Sequence, residues 1–300
     1  MKNNILIIFM MIVVFIVSGF FITQNSTFMP QNDLYKPLGL RAIGGINESE
    51  FHLILDRFEE IYTPLVREQG GLLELKRYWE SGIVNAQTSR SGDTWTIEVW
   101  GGIARHEAVN LDAFTLIMCH EFGHHFGGDP KMGFVFFNWV SVEGQADYYA
   151  AVKCFEMLTR HEDSVAIVND MEIHAIPDNA CSETYSDPNE QAMCKRVSMA
   201  GYYLGLLLQD AFPKGDSDPF PGYAFWERKK EDKPVSFDTP DNVAVWMTKK
   251  THPTPQCRVD TFFAGALCNK KLSDSSPESG YCKRAEGFKV GVRPRCWFKP

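Results

Sequence analysis

Two histidines and a glutamate in one short stretch have the spacing of a metal-dependent hydrolase. The stretch reads His120-Glu121-Phe122-Gly123-His124, an H-E-x-x-H pattern. On a helix, side chains four residues apart lie on the same face, so His120 and His124 can bind one zinc ion. Glu121 then lies beside any water at the open coordination position and can act as its general base. The motif predicts hydrolysis at a single zinc ion, although so short a motif also recurs by chance.

A catalytic zinc usually has three protein ligands, and a second acidic helix can supply the third. Glu143 and Asp147 are one helical turn apart in the next segment with helical character. We expect Glu143 to be the third ligand and Asp147 to accept the free ring N–H of His120, because metal-bound histidines usually have such a partner. The alternative is that both acids belong to a solvated helix face.

The extended metzincin motif is a rival assignment for the third ligand. Gly127 fits H-E-x-x-H-x-x-G-x-x-H, in which a third histidine follows that glycine by three residues. Here that position is Pro130, which has no ligand atom in its side chain, and Asp129 comes one residue early. No convincing Met-turn follows, so we favour Glu143.

The order of several short motifs resembles a known family of zinc peptidases. These motifs are Asn85-Ala86, an apolar strand ending at Gly101, Cys119 to His125, Glu143-x-x-Ala146-Asp147, and Thr251-His252-Pro253 followed by Arg258. Over roughly residues 40 to 268 the chain resembles the gluzincin family of the CAAX prenyl proteases and the HtpX membrane protease, including its soluble exported members. Only the zinc motif and the E-x-x-A-D segment are specific.

The resemblance implies roles for two further residues. His252 and Arg258 match the family's histidine and arginine on the substrate side of the zinc, which implies that they contact the transition state. The family's multi-pass membrane helices have no counterpart in this sequence. We therefore do not expect an intramembrane or prenyl-protein substrate.

Composition excludes some partners. The chain has 300 residues, of which 44 % are hydrophobic, and a formal net charge of −8. This hydrophobic content is typical of a soluble globular protein. The net negative charge argues against nucleic acid as a partner, because binding to phosphates requires a basic surface. A peptide or protein substrate is the expected partner.

The amino-terminal residues predict export. Lys2 precedes an uncharged apolar run from Ile5 to Ile22. This run is near the lower limit of roughly 17 residues for spanning a bilayer. Residues 1–24 are therefore a signal peptide or a membrane anchor, and the sequence leaves both open. Lys2 on the cytoplasmic side places the remaining chain outside the cytoplasm, periplasmic or secreted, with membrane contact only through residues 5–22.

Cysteine usage agrees with export. The chain has eight cysteines, and an even number in an exported protein predicts disulfides of unknown connectivity. Cys119 points away from the face that carries His120, so we expect a buried thiol or a disulfide. A pairing with Cys154 is a guess from helical spacing. The helix-poor tail, residues 269–300, is expected to need such cross-links.

Hydrophobic periodicity and capping residues predict the elements that position these residues. Helices are expected over 49–69, 111–126, 139–158, 191–210 and 255–267. Asn110 is the candidate N-cap of the zinc helix. Residues 83–88 and 94–99 are expected to form a β-hairpin. Residues 25–37 are expected to be a linker, 170–188 a loop, and 212–240 an exposed excursion near the cleft.

The expected fold class is α+β. Residues 38–300 are expected to form a mostly helical, zincin-like metallopeptidase domain with a small antiparallel sheet and a disulfide-rich C-terminal tail. The strand from Trp95 to Gly101 is a candidate edge strand that pairs with an extended peptide substrate. A purely structural role for that strand remains equally open.

The expected function is that of an exported zinc-dependent endopeptidase with one catalytic Zn²⁺. His120, His124 and Glu143 bind the metal, and Glu121 is the general base. An alternative function is a catalytically silent zinc-binding assembly factor of the cell envelope. A zinc hydrolase that acts on non-peptide amides would use the same residues.

Overall fold

The computed structural model describes residues 25–39, 44–133, 138–211, 233–270 and 282–300. In chain order its elements are β1 Asn25–Thr27, α1 Glu48–Glu68, β2 Leu72–Tyr78, β3 Ala86–Ser91, β4 Thr94–Trp100, α2 Gly101–Ala104, α3 Leu111–Phe126, α4 Glu143–Tyr149, α5 Phe155–Thr159, α6 Ser164–Asn169, α7 Ala175–Thr184, α8 Pro188–Ala211 and α9 Pro255–Ala266. A π-helical segment, Ala150–Cys154, joins α4 to α5. The fold class is α+β, as predicted.

Some predicted segments lie outside the described residues. These are the apolar run 5–22, most of the excursion over 212–240, and residues 271–281 of the tail. Among the residues that are described, no helix is both long and apolar enough to cross a membrane.

The four strands form a mixed sheet in the order β1-β3-β4-β2. The predicted hairpin is confirmed, because β3 and β4 pair antiparallel. The expectation of a purely antiparallel sheet is wrong, since β2 pairs parallel with β4. The sequence of β2 alternates apolar and charged residues over only a few positions, which is too short a pattern to predict a strand.

The predicted edge strand is not at an edge. Trp95 to Gly101 corresponds to β4, which lies between β3 and β2, so the edges of the described sheet are β1 and β2. The segment β1 pairs antiparallel with β3, with Asn25 opposite Ser89 and Thr27 opposite Gln87. Three residues of the predicted linker 25–37 therefore complete the sheet.

Helix α3 runs through the centre of the molecule. Its bounds agree with the predicted zinc helix, and the Asn110 side chain accepts a hydrogen bond from the N–H of Ala113, which confirms the predicted cap. Every residue from Asp112 to Phe126 is buried. Burial of a whole helix requires packing partners on all of its sides, and the sheet, α1, α4 and α8 all contact α3.

The helices α3 and α4 are in backbone contact at Gly123. A Cβ atom added to Gly123 would lie 2.8 Å from the carbonyl oxygen of Ala146. Real side chains almost never approach so closely, so any other residue would separate the two helices. Gly123 therefore allows α4 to lie directly beside the H-E-x-x-H helix.

Helix α4 begins later than the predicted bound at residue 139. The residues before Glu143 are extended, with Val142 at ψ 158° and Ser141 in an isolated bridge with Lys131. The extended backbone turns the carbonyl group of Ser141 toward His124, whose Nδ1 atom donates a hydrogen bond to it. A helix over these residues would have used that carbonyl internally.

The predicted loop over 170–188 contains helix α7. The side chain of His174 caps this helix by accepting a hydrogen bond from the N–H of Ile176. Pro177 lies in the first helical turn, where a missing N–H costs no intrahelical bond. The disulfide Cys181–Cys194 joins α7 to α8. The sequence does not predict this helix, because it is polar and its N-cap is a histidine, which is not a usual capping residue.

Four disulfides stabilise the fold. They are Cys119–Cys154, Cys181–Cys194, Cys257–Cys296 and Cys268–Cys282. The guessed pairing of Cys119 with Cys154 is confirmed, and two of the four bonds attach the tail. Four such bonds are consistent with a protein outside the cytoplasm.

The C-terminal tail packs against α4. Trp297 is fully buried, and a Cβ atom added to Gly144 would lie 2.3 Å from its indole ring. The Tyr148 hydroxyl donates to the carbonyl oxygen of Gly291 at 2.5 Å. The tail thus supports α4 on the side away from α3.

We predict that Gly123→Ala weakens metal binding by pushing α4 away from α3. Overpacking of this kind typically costs about 1–3 kcal/mol of unfolding free energy. The matched control is Gly201→Ala, whose Cβ would lie 2.4 Å from Phe262 Cβ, at a close contact of α8 with α9. Both variants should unfold at lower denaturant concentration, but only Gly123→Ala should lower zinc affinity in a competition titration. Equal zinc affinities in the two variants would contradict the prediction.

Candidate metal centre

Three side chains from α3 and α4 converge on one buried point. The potential ligand atoms of His120, His124 and Glu143 all lie within 4.8 Å of one another. The two Nε2 atoms are 3.1 Å apart. Glu143 Oε2 is 3.3 Å from His120 Nε2 and Glu143 Oε1 is 3.7 Å from His124 Nε2. The helical i, i+4 spacing and the start of α4 thus bring the three predicted ligands together.

The hydrogen bonds of the two Nδ1 atoms determine which ring nitrogens of His120 and His124 carry a free lone pair. His124 Nδ1 lies 2.8 Å from the Ser141 carbonyl oxygen, which can only accept, so Nδ1 carries the proton. His120 Nδ1 lies 2.7 Å from Asp147 Oδ1 and donates to it in the same way. In neutral rings both Nε2 atoms then present lone pairs to each other, and these require a shared proton or cation. Two imidazole nitrogens and a carboxylate form a donor set that fits a metal ion.

Glu121 is a second indication that the cluster suits a cation. It is fully buried, and neither of its carboxylate oxygens has a hydrogen-bond partner in the described part of the chain. Burial raises the pKa of Glu121 to about 8. A buried carboxylate without partners is costly, and a cation at the neighbouring ligands would offset that cost.

An aspartate and an arginine lie behind His120. Arg258 donates two hydrogen bonds to Asp147, from Nε to Oδ2 at 2.8 Å and from Nη2 to Oδ1 at 2.7 Å. Both side chains are fully buried. Burial acts to raise the pKa of Asp147, but Arg258 and His120 hold it below its usual range. Asp147 is therefore an ionised partner that orients the ring of His120.

The pKa values of the two ligand histidines are shifted in opposite directions. Burial lowers the pKa of His124 to about 4. Burial acts in the same direction on His120, but Asp147 and Glu143 reverse its effect and raise the pKa of His120 to about 9. Burial also opposes ionisation of Glu143, yet His252 and the two ligand histidines hold its pKa well below the usual range. Without a metal, the proton at this site therefore resides on His120.

His252 reaches the cluster from the segment before α9. Its Nε2 atom is 3.6 Å from Glu143 Oε2 and 2.7 Å from the carbonyl oxygen of Thr27. Because that carbonyl can only accept, Nε2 is the donor. A histidine before a proline is commonly a turn residue, but His252 places an N–H beside the ligands.

The strand β1 also contacts the site, which sequence analysis did not predict. Ser26 Oγ donates to Glu143 Oε1 at 2.8 Å. The ring of Phe28 meets the ring of His120 edge-on, with their centroids 5.1 Å apart. Short polar segments such as 25–27 carry no periodic signal. The contact of the Ser141 carbonyl group with His124 is equally hard to predict, because every residue has a carbonyl group and the sequence does not show which one faces a ligand.

His125 belongs to the support of the site and not to the ligands. It is stacked between Trp95 and Trp139, with centroid distances of 5.0 Å and 4.7 Å. Its Nε2 atom lies 2.6 Å from Thr88 Oγ1 on β3. These contacts attach the zinc-motif helix to the sheet.

The structure brings every predicted site residue into one cluster. His120, His124 and Glu143 converge, Glu121 and His252 lie beside them, and Asp147 and Arg258 lie behind His120. Comparisons with protein-family models, curated proteins and solved structures find no match. The interpretation of the site therefore depends on its own geometry.

We predict that Asp147→Asn lowers zinc affinity by about 10- to 100-fold, because a neutral amide orients His120 less well and makes its ring less basic. The matched control is Asp112→Asn, which removes another buried carboxylate bound by two nitrogens of an arginine, Arg196. Both variants should lose stability, whereas only Asp147→Asn should bind zinc more weakly in a chelator competition. An unchanged affinity would remove Asp147 from the metal site.

We also predict that zinc affinity falls as the pH falls. Below the pKa of about 9 of His120, its ring carries a proton that a metal must displace. Each unit of pH below that value should therefore weaken apparent binding about tenfold as long as this proton alone competes. Titration calorimetry in buffers of different ionisation enthalpy should detect proton release at pH 7.5. Affinity that does not change between pH 6 and 8 would contradict the assignment of the proton.

Proposed function

We propose that this chain is an exported zinc-dependent endopeptidase of the gluzincin type. The observation that carries the proposal is the convergence of His120, His124 and Glu143 beside the unpaired buried carboxylate of Glu121. Two imidazole nitrogens and one carboxylate oxygen leave a fourth position open in a tetrahedral zinc site. A purely structural zinc site would need no unpaired acid beside it.

The sequence resemblance supports the same family. The motifs that suggested it are separated by long stretches of chain, yet Asn85, the zinc motif, Glu143, Asp147, His252 and Arg258 belong to one region around the site. We propose a zincin-like fold on this basis. Its elements would be α3 as the zinc-motif helix, α4 as the helix of the third ligand, and β3 as the strand beside the site.

Bound zinc would lower the pKa of a water molecule and polarise the substrate carbonyl group. Glu121 accepts the proton of the attacking water and later delivers it to the leaving amine. The high pKa of Glu121 is caused by burial, and a neighbouring cation favours its ionised form. Glu121 can therefore act as a base at neutral pH and as an acid after the attack.

Two further side chains act on the substrate backbone. His252 donates a hydrogen bond from Nε2 to a carbonyl oxygen at 2.7 Å in the structure, and the same N–H would stabilise the oxyanion that develops during attack. Arg258 would act from behind His120. It is fully buried, orients Asp147, and uses Nη1 to bind the carbonyl oxygen of Phe28 at 2.6 Å.

The contacts of β1 favour a peptide over a non-peptide amide as the substrate. His252 and Arg258 bind the main-chain carbonyl groups of two successive residues, Thr27 and Phe28. An extended peptide presents such groups at regular intervals, whereas a small amide does not. The four disulfides are consistent with a location outside the cytoplasm, and we propose that the enzyme acts in the periplasm or is secreted.

We predict that Glu121→Gln retains zinc but loses about 100- to 10,000-fold in turnover, the usual contribution of a general base. The matched control is Glu156→Gln, an exposed glutamate on α5, a different helix from that of Glu121. Zinc content and cleavage of casein are measured for the full-length wild type and both variants. One zinc in each, with cleavage by wild type and Glu156→Gln only, would support the proposal. Zinc without cleavage by any protein would favour the silent assembly factor, and absence of zinc would refute the metal site.

A further inference from the structure

We propose that the chain cleaves itself between Thr27 and Phe28. This inference rests on the proposed peptidase function and concerns the first substrate of the same site. Residues 25–27 pair with β3 beside the candidate metal centre, the chain bends at Phe28 and Met29, and the main-chain groups on both sides of this bond contact residues of the site. The segment has the position that a peptide substrate would need.

Three hydrogen bonds fix the Thr27–Phe28 bond. The carbonyl oxygen of Thr27 accepts from His252 Nε2 at 2.7 Å. The N–H of Phe28 donates to the carbonyl oxygen of Ala86 at 3.0 Å. The carbonyl oxygen of Phe28 accepts from Arg258 Nη1 at 2.6 Å. The electrophilic carbonyl and the leaving nitrogen are thus both held, and the carbonyl has a donor where negative charge would develop.

Asn85 fixes the next residue of the segment. Its Oδ1 atom accepts from the N–H of Met29 at 3.1 Å, and its Nδ2 atom donates to the carbonyl oxygen of Met29 at 3.3 Å. With the antiparallel pairing of β1 and β3, this gives continuous main-chain recognition from Asn25 to Met29. Recognition through the main chain of an added strand is a common way to bind extended peptides.

The bond lies close to the candidate ligands. Ser26 Oγ donates to Glu143 Oε1 at 2.8 Å, and His252 Nε2 is 3.6 Å from Glu143 Oε2 while it binds Thr27. On the other side of the bond, the Phe28 ring packs against His120 and lies 4.5 Å from Arg258 Cζ. A polar contact before the bond and an aromatic contact after it therefore place Thr27–Phe28 beside the metal ligands.

Burial changes abruptly at the same bond. Asn25 is exposed and Ser26 and Thr27 are partly exposed, whereas Phe28 and Met29 are both 0 % exposed. After a cut, Phe28 and Met29 would remain in the core of residues 28–300. Residues 25–27 would be held by a strand of only three residues, which is too short to be stable alone. The fragment 1–27 would leave and would open the edge of β3 to other peptides.

The reaction requires only water as a co-reactant. The water oxygen bonds to the carbonyl carbon of Thr27, and the bond from that carbon to the Phe28 nitrogen breaks. Glu121 transfers the water proton to the nitrogen, which leaves a carboxylate on Thr27 and an amine on Phe28. The apolar run from Ile5 to Ile22 is in the released fragment, so the cut would separate the domain from this segment.

The test uses the full chain, purified in chelator and then loaded with zinc, and follows its intact mass. We expect the wild type and the control Gln31→Ala, which changes an exposed residue beyond the segment, to convert to residues 28–300. Glu121→Gln and Phe28→Asp should remain intact. A mass-tagged Glu121→Gln chain mixed with wild type should also remain intact, because the segment is held within its own molecule. Cleavage at another bond would overturn the proposal.

A parallel assay with casein separates this inference from the proposed function. An intact wild-type chain that binds zinc overturns self-cleavage whatever happens to casein. If that intact chain still degrades casein, the peptidase function is supported and only self-cleavage is refuted. If it degrades nothing, self-cleavage fails, and the casein result for Phe28→Asp, whose segment no longer packs on His120, decides whether the peptidase function fails with it.

A measurement without catalysis tests whether the segment is in place. In metal-free Glu121→Gln, the amides of Phe28 and Met29 should exchange with deuterium at least about 100-fold more slowly than unprotected amides, since both are buried and hydrogen-bonded. Adding Asn85→Ala should accelerate the exchange of Met29, whose amide Asn85 accepts. Exchange of Phe28 and Met29 at unprotected rates would overturn the proposal, independently of any activity.

Discussion

The backbone contact between α3 and α4 is the constraint on which the candidate site depends. Two ligands come from α3 and the third from the first residue of α4, so their convergence requires the helices to touch at Gly123 and Ala146. The position of Glu143 also depends on where α4 begins. The extended residues before it supply the Ser141 carbonyl to His124. The extended backbone before α4 therefore orients His124 and also determines the position of Glu143.

Burial imposes the second constraint, because each charge in the cluster needs an opposite charge beside it. Arg258 neutralises Asp147, Asp147 binds His120, and His120 lies beside Glu143. Removal of one member would leave another buried charge unpaired, which is far more costly than loss of an exposed ion pair. This arrangement explains why the arginine expected on the substrate side is fully buried. Arg258 neutralises the aspartate that orients His120, and it also binds one main-chain carbonyl group.

The parts of the site that the sequence predicted are those determined by local spacing. Helix α3, its Asn110 cap and the ligand pair follow from periodicity within one segment, and helical spacing also suggested Cys119–Cys154. The sheet was less predictable, because strand pairing joins residues that are distant in sequence. Nothing within Asn25–Thr27 indicates that these residues pair with β3. The prediction of β4 as the edge is wrong for the same reason, since β2, which pairs with β4 on its outer side, carries no clear strand pattern.

The burial of Trp297 has a consequence for the order of biosynthesis. This residue comes long after the zinc motif in the sequence, yet it packs on Gly144 in the helix that carries Glu143. The neighbouring Cys296 is bonded to Cys257, one residue before Arg258. A ribosome makes the zinc motif long before it makes Trp297, so a nascent chain contains the ligands without this support. The fully braced site can form only after Trp297 has been synthesised and the Cys257–Cys296 bond has formed.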